Sequence, residues 1–241
     1  LLLSHPSLGA LSANSELFMV APLAGAVLAS LGKGNGLAFA AGLLSGLACL
    51  FKQVALANAV FCMLVSAAPV PFTLGLAAAL LPAVGGLLAA GALGAAYDAI
   101  VGYNLSYASS IALAEYLPRF WATLSETFGA LWPIYLLAAV PLFKLSARPA
   151  ERRSELAALG WLIASLAGAS AGGYFRDHYL LQGVPPVALL AGRGIALVFR
   201  AGLPAAALSA ACVLYGVGAT WWFYGPGPAE ASAAACGAAV D

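Results

Sequence analysis

The 241 residues are 63% apolar and 8% charged, whereas soluble domains run at about 45–50% and about 25%. A chain this short cannot hide so much apolar surface from water, because about a third of a small domain's surface stays wet; the bilayer is its natural solvent. A net charge of +1 supplies no basic patch to neutralise phosphates, which excludes nucleic acid as a partner.

The chain opens LLLSHPSLGA, without an initiator Met, a charged leader or a signal-peptide pattern. The expectation is an amino-terminal truncation, and His5 receives no role. Asn14, Ser15 and Glu16 then stand at the head of the first apolar segment. Two readings fit them. Asn14 or Ser15 caps a helix whose dipole Glu16 complements, or the Glu16 carboxylate binds an acceptor, a metal or an amine at the membrane surface.

Eight apolar segments follow, at about 17–32, 36–51, 54–70, 73–96, 128–143, 156–172, 180–192 and 199–223. The fold class expected is all-α, a polytopic transmembrane bundle of about eight spans. Several segments lie near or below the roughly 17 residues needed to cross the hydrocarbon. The turn GKGNG at 32–36 lacks the spacing of a phosphate loop. Gly42 and Gly46 stand four apart and permit close helix packing.

Lys52 is the only charge between Gly36 and Pro71. A charge at mid-bilayer costs roughly 2.5–3.5 kcal/mol, so an intramembrane ionisable residue defaults to a functional candidate with a partner. No acidic residue is near it in sequence, which points to an anionic ligand. A lipid phosphate suits Lys, a flexible point charge with three donors. The plainer readings are a Lys52-Gln53 turn with a snorkelling side chain, or a broken helix pair.

The long connection is 97–127. Tyr97, Tyr103, Tyr107, Tyr116, Phe120 and Trp121 are set among polar residues there, as in an interfacial helix at headgroup level. Trp132, Trp221, Trp222 and Tyr224 fall near span ends, as in an aromatic belt. Cys49, Cys62, Cys212 and Cys236 form no CxxC pair, so neither a disulfide nor a zinc site is expected.

Tyr174-Phe175-Arg176-Asp177-His178-Tyr179 joins an external loop to LLQGVPPVALL. Arg176 can clamp a phosphate through two donors and His178 can donate another hydrogen bond. The plainer reading is an Arg176–Asp177 pair solvating a loop. Pro185 and Pro186 make 180–192 the weakest span and a candidate re-entrant segment. Residues 226–241 read as a disordered or external tail beyond a membrane domain over 1–225.

Lys and Arg counts orient the spans. Lys33, Lys144, Arg148, Arg152, Arg153, Arg193 and Arg200 fall on one side, against Lys52, Arg119 and Arg176 on the other. The larger group belongs in the cytoplasm, which places Lys52 and both chain ends outside.

Three stretches, SANSELFMVAPLAGAVLA, GLLSGLACLFKQVALANAV and YFRDHYLLQGVPPVALLAG, resemble segments of the polytopic glycosyltransferases of the GT-C class. The group they resemble is glycosyltransferase family 39 and its relatives, with dolichyl-phosphate-mannose protein mannosyltransferases and bacterial lipid A aminoarabinose transferases. The resemblance covers most of 4–200. It implies a polyprenyl-phosphate-linked sugar donor and an inverting transfer to an external protein, lipid or glycan, at the outer face of the cell membrane.

On that resemblance Lys52 matches the family lysine that contacts the donor phosphate, with Arg176 as a second cation. Glu16 and Asn14 match the acceptor or metal region, and no cofactor is firm, a divalent metal staying open. Gln53, Tyr174, Asp177, His178 and Tyr179 support the same cavity. The family's base is an Asp in an external loop before the first segment read here. It has no counterpart, so no residue is assigned as base. The alternative is a secondary transporter, which also uses broken helices and buried charges; two similar halves would mark it, and the sequence shows none. A third reading is a membrane scaffold that binds lipid without chemistry.

Overall fold

The computed structural model describes residues 14–143, 145, 148–200 and scattered positions between 202 and 218. The tail 226–241, most of the segment 199–223, and Trp221, Trp222, Tyr224, Cys212, Cys236, His5 and Lys144 lie outside the described residues.

Among the described residues the fold is all-helical, with no strand. In chain order the helices are α1 (Ser15–Ser30), α2 (Asn35–Phe51), α3 (Leu56–Val65), α4 (Pro69–Ala89), α5 (Leu93–Tyr97), α6 (Tyr103–Ser109), α7 (Leu113–Phe143), α8 (Pro149–Ser170) and α9 (Val184–Arg200). Short 3₁₀ helices at Gln53–Ala55 and Asp177–Gly183 precede α3 and α9, and a π turn at Asp98–Gly102 links α5 to α6.

Pro69–Ala89 and Asp177–Arg200 are long and apolar enough to cross a membrane; Leu113–Gly129 with Leu131–Phe143 makes a third if the bent pair is one span. Ser15–Ser30, Asn35–Phe51 and Gln53–Val65 are shorter apolar helices. Helix α8 falls outside both groups, because Glu151, Arg152, Arg153 and Glu155 occupy its first turns.

Residues 180–192 do not form a re-entrant loop. They belong to the continuous stretch Asp177–Arg200. Pro185 and Pro186 fall in the first turn of α9, where a helical N–H has no partner to lose. The connection 97–127 is not one helix either. Ser109 and Ser110 turn their hydroxyls onto the carbonyls of Ser106 and Tyr107, at 2.9 and 2.7 Å, and this local bonding competes with further helix. Leu113–Gly129 then meets Leu131–Phe143 at 102°, with Pro133 in the first turn after the bend.

Small residues set the helix packing. A Cβ on Gly42 would lie 1.8 Å from the Phe72 carbonyl oxygen, and one on Gly75 would lie 2.0 Å from that of Phe39. Main chains of α2 and α4 therefore touch, as the Gly42/Gly46 spacing allows, and the two helices run parallel. On the other side, a Cβ on Gly194 of α9 would lie 1.9 Å from the Leu137 carbonyl oxygen of α7.

The charges divide between the two ends of the bundle. Lys52, Arg119 and Arg176 sit at the end where α1 begins. Lys33, Arg148, Arg152, Arg153 and Arg193 sit at the opposite end, where Leu31 and Arg153 border one cavity. There Arg193 ties α9 to α8, donating to Glu155 at 2.6 Å and to Glu151 at 2.5 Å.

Candidate functional site

The site forms where α1 begins, α2 ends and the segment before α9 passes between them. Glu16 lies in the first turn of α1, where a carboxylate complements the helix dipole. Asn14 holds the N-cap position through its carbonyl, which accepts the Leu17 N–H at 3.0 Å; its side chain makes no cap bond. Helix α2 stops at Phe51, and Lys52 is extended at φ −160°, ψ 135°. Its N–H still donates to the Ala48 carbonyl at 3.2 Å and its carbonyl accepts from Ala55 N–H at 3.1 Å. The break thus leaves neither backbone group of Lys52 unsatisfied.

The Lys52 ammonium donates to Glu16 Oε1. The Glu16 side chain is only 1% exposed and that of Lys52 is 22% exposed. Ser15 Oγ donates to the other carboxylate oxygen at 3.2 Å. The ammonium also rests 4.4 Å from the ring centre of Tyr179, a cation–π contact. His178 Nε2 lies 3.9 Å from Glu16 Oε1. The other ring nitrogen, Nδ1, is 3.1 Å from Asp177 Oδ1, which also accepts the His178 backbone N–H at 2.8 Å.

Lys52 therefore has an acidic partner within the chain, contrary to the expectation from sequence neighbours. The α1–α2 hairpin returns residue 52 to residue 16. The helix does break at Lys52, as the turn and broken-pair readings had it, and the break puts the residue at a helix end, where its head reaches water. Gln53 is exposed beside it at the start of the 3₁₀ helix.

A buried polar network fixes the segment that carries His178. Asn58 Nδ2 donates to Gln182 Oε1 at 2.9 Å, and Ser165 Oγ lies 3.1 Å from Asn58 Oδ1 and 3.0 Å from the Gln182 carbonyl. Gln182 Nε2 reaches back to the Tyr179 carbonyl at 3.3 Å. Asn58, Ser165 and Gln182 are at most 1% exposed, so each unmade bond among them would be costly. The sequence reading missed this network, although a lone Asn in 54–70 and a lone Gln in 180–192 signalled it.

Tyr174 and Arg176 belong to an adjoining cleft. Tyr174 stacks on Tyr107 at 3.8 Å, and its hydroxyl hydrogen-bonds Ser110 at 2.7 Å. The Arg119 and Arg176 guanidiniums lie 5.7 and 5.8 Å from its ring centre. Arg119, Thr123, Glu126, Arg176 and Asp177 border a cavity of about 450 Å³. Asp177 thus serves both places, whereas Arg176 rests on Tyr174 and Lys52 on Tyr179. Between them Phe175 is buried at φ 47°, a strained conformation for a bulky residue. Its carbonyl accepts from Thr123 Oγ at 2.5 Å.

A second cavity, of about 270 Å³, is apolar and runs between α7, α8 and α9 from Phe120 and Leu180 down to Leu142 and Leu190. No three His, Cys, Asp or Glu side chains among the described residues are grouped to hold a metal, and the Glu16 carboxylate is engaged by an ammonium instead. Set against protein families, curated proteins and solved structures, the chain matches none of them.

Proposed function

We propose that this chain is the membrane domain of an inverting glycosyltransferase, one that moves a sugar from a polyprenyl-phosphate donor to an external protein, lipid or glycan. One observation carries the reading. The three stretches that resemble the GT-C enzymes, far apart in sequence, bring Glu16, Lys52 and His178 into one cluster. Of the cations assigned to the cytoplasm, Lys33, Arg148, Arg152, Arg153 and Arg193 gather at the other end.

In this reading α1, α2, α3 with its 3₁₀ turn, α4, the second half of α7, α8 and Asp177–Arg200 cross the membrane, and the eighth expected span, 199–223, lies mostly outside the described residues. At 1.5 Å per residue, α1 and α2 span only about 24–26 Å of a hydrocarbon core about 30 Å thick. Glu16 and Lys52 then sit just inside the outer hydrocarbon boundary, and local thinning of the bilayer brings lipid phosphates to their level. The Leu113–Gly129 arm lies across that face as an interfacial helix.

The chemistry suits the site. The leaving group is a lipid phosphate whose developing charge needs a fixed cation. Glu16 holds the Lys52 ammonium in place with one of its three donors, leaving two for phosphate oxygens. Arg176 offers a second cation across the 174–179 segment, and the apolar cavity beside it suits a lipid chain. Sugar release from a polyprenyl-phosphate donor by the full-length protein tests the reading: release depends on Lys52 and not on Lys33, which is exposed at the opposite end.

A second reading, a secondary transporter, has one observation in its favour. The units α2–α3–α4 and α7–α8–α9 each join their outer helices through glycine contacts, and they run in opposite directions, as inverted repeats do. It predicts uptake of a solute into liposomes and no turnover of a lipid-linked sugar.

A further inference from the structure

A sugar transferase must hold its acceptor beside the donor phosphate, and the reading above leaves that acceptor as protein, lipid or glycan. We infer that it is a neutral glycan, held in the cleft between the Leu113–Gly129 arm and residues 174–177; the inference deepens the glycosyltransferase reading and rests on it.

The cleft has a rigid frame. Phe175 is buried, and its ring stands edge-on to Tyr116 and Phe120 at 6.1 and 5.4 Å. Residues 174–177 are thereby pinned to the arm. Tyr174 is stacked on Tyr107 and bonded to Ser110, and the guanidiniums of Arg119 and Arg176 both rest on its ring. Side chains fixed beforehand lose less entropy when they bind.

The charges that border the cleft cancel. Arg119 and Arg176 share it with Glu126 and Asp177, and Arg119 is already bound to Glu115 through Nε at 3.0 Å and Nη2 at 2.7 Å. An anionic acceptor gains no net attraction from such a ring and meets two carboxylates. A neutral acceptor rich in hydroxyls uses both signs, because each hydroxyl donates to a carboxylate and accepts from a guanidinium. The groups are open to it. Among the described residues Glu126 and Arg176 enter no hydrogen bond or ion pair, and Asp177 engages His178 through Oδ1 alone. Arg176 carries five N–H donors, enough for a hydroxyl here and a phosphate oxygen on the other side of its segment.

A peptide finds less to hold it. Peptides dock by extending a sheet edge, by laying an apolar helix face in a groove, or through a phosphate on an Arg cluster. Among the described residues there is no strand, and the cleft is bordered mainly by charged and polar side chains. Position joins the cleft to the donor site. Asp177 borders the cleft while its Oδ1 lies 3.1 Å from His178 Nδ1, and the opposite ring nitrogen lies 3.9 Å from Glu16 Oε1, the oxygen that holds Lys52. A glycan in the cleft therefore lies next to the phosphate that Lys52 binds.

The test uses membranes containing the full-length protein, given radiolabelled polyprenyl-phosphate hexoses and pentoses. The acceptors offered are neutral hexose and pentose oligosaccharides, the same oligosaccharides bearing a phosphate monoester, Ser/Thr peptides and a phosphorylated glycolipid. Label passes to a neutral oligosaccharide with a kcat/KM at least about tenfold above that for its phosphorylated form. Glu126→Ala, at an exposed position, raises the KM for that oligosaccharide by about tenfold, while the KM for the donor stays within about twofold of wild type. Glu126→Lys turns the preference toward the phosphorylated form, which a merely structural role would not produce. Lys52-dependent label found only in peptide or phosphorylated glycolipid overturns this inference alone. Equal kcat/KM for the two oligosaccharides, or an oligosaccharide KM within about twofold of wild type in Glu126→Ala, does the same. Wild-type membranes without Lys52-dependent transfer to any acceptor overturn both this inference and the reading beneath it.

Discussion

Replacing Lys52 by Met removes one charge of a pair whose other member cannot reach water. The Glu16 side chain is 1% exposed, so its carboxylate would stay buried without its ammonium. Breaking such a pair costs about 3–5 kcal/mol in general. Here Lys52 is 22% exposed, and Ser15 Oγ at 3.2 Å still donates to Glu16. Both features lower the figure, to about 2–3 kcal/mol. Glu16→Gln leaves an ammonium that can turn to solvent, so it costs less, about 1 kcal/mol. The double variant leaves no orphaned charge and recovers at least about 1 kcal/mol relative to the sum of the single changes. Equilibrium unfolding in mixed micelles, followed by helical circular dichroism, measures all three. The same double variant does not recover sugar release, because stability returns without the cation. A Lys52→Met cost under about 0.5 kcal/mol, or single effects that simply add, would refute the buried pair.

The rest of the fold is open to two simpler checks. Gly42→Ala places a Cβ 1.8 Å from the Phe72 carbonyl oxygen; α2 and α4 must separate, at about 1–3 kcal/mol, and the unfolding midpoint falls. Gly85→Ala meets nothing within 4 Å and leaves the midpoint unchanged or raised. Asn58→Leu strips partners from Gln182 and Ser165, costs about 1–3 kcal/mol, and speeds hydrogen exchange at amides 177–183.

Composition and the eight apolar segments made the helical class legible, because 63% apolar residues leave few other folds. The Gly42/Gly46 contact was also readable, since only small residues let two backbones touch. The division of Lys and Arg between the two ends followed from alternating spans. What sequence could not give was pairing across space. Lys52 looked unpartnered because Glu16 is 36 residues away in the chain, a gap closed only by the α1–α2 hairpin. The break at Lys52 was legible, because the only charge in the run stands with Gln53 between the apolar segments 36–51 and 54–70. Pro185 and Pro186 misled in the other direction. Prolines read as helix breakers are, in a first turn, compatible with a helix start.

Arg176 shows why a candidate list does not become a site by proximity in sequence. It is adjacent to Asp177, yet its guanidinium rests 5.8 Å from the Tyr174 ring centre and borders the cleft of the Leu113–Gly129 arm. Its neighbour points Oδ1 at His178. One residue of chain separates a cleft-lining cation from the carboxylate that orients an imidazole.

Turnover of a polyprenyl-phosphate-linked sugar by membranes holding the full-length protein, compared between Lys52→Ala and Lys33→Ala, tests the central claim most directly. The account predicts that Lys52→Ala loses about 100-fold or more and Lys33→Ala stays near wild type. Equal rates in the two variants would contradict it.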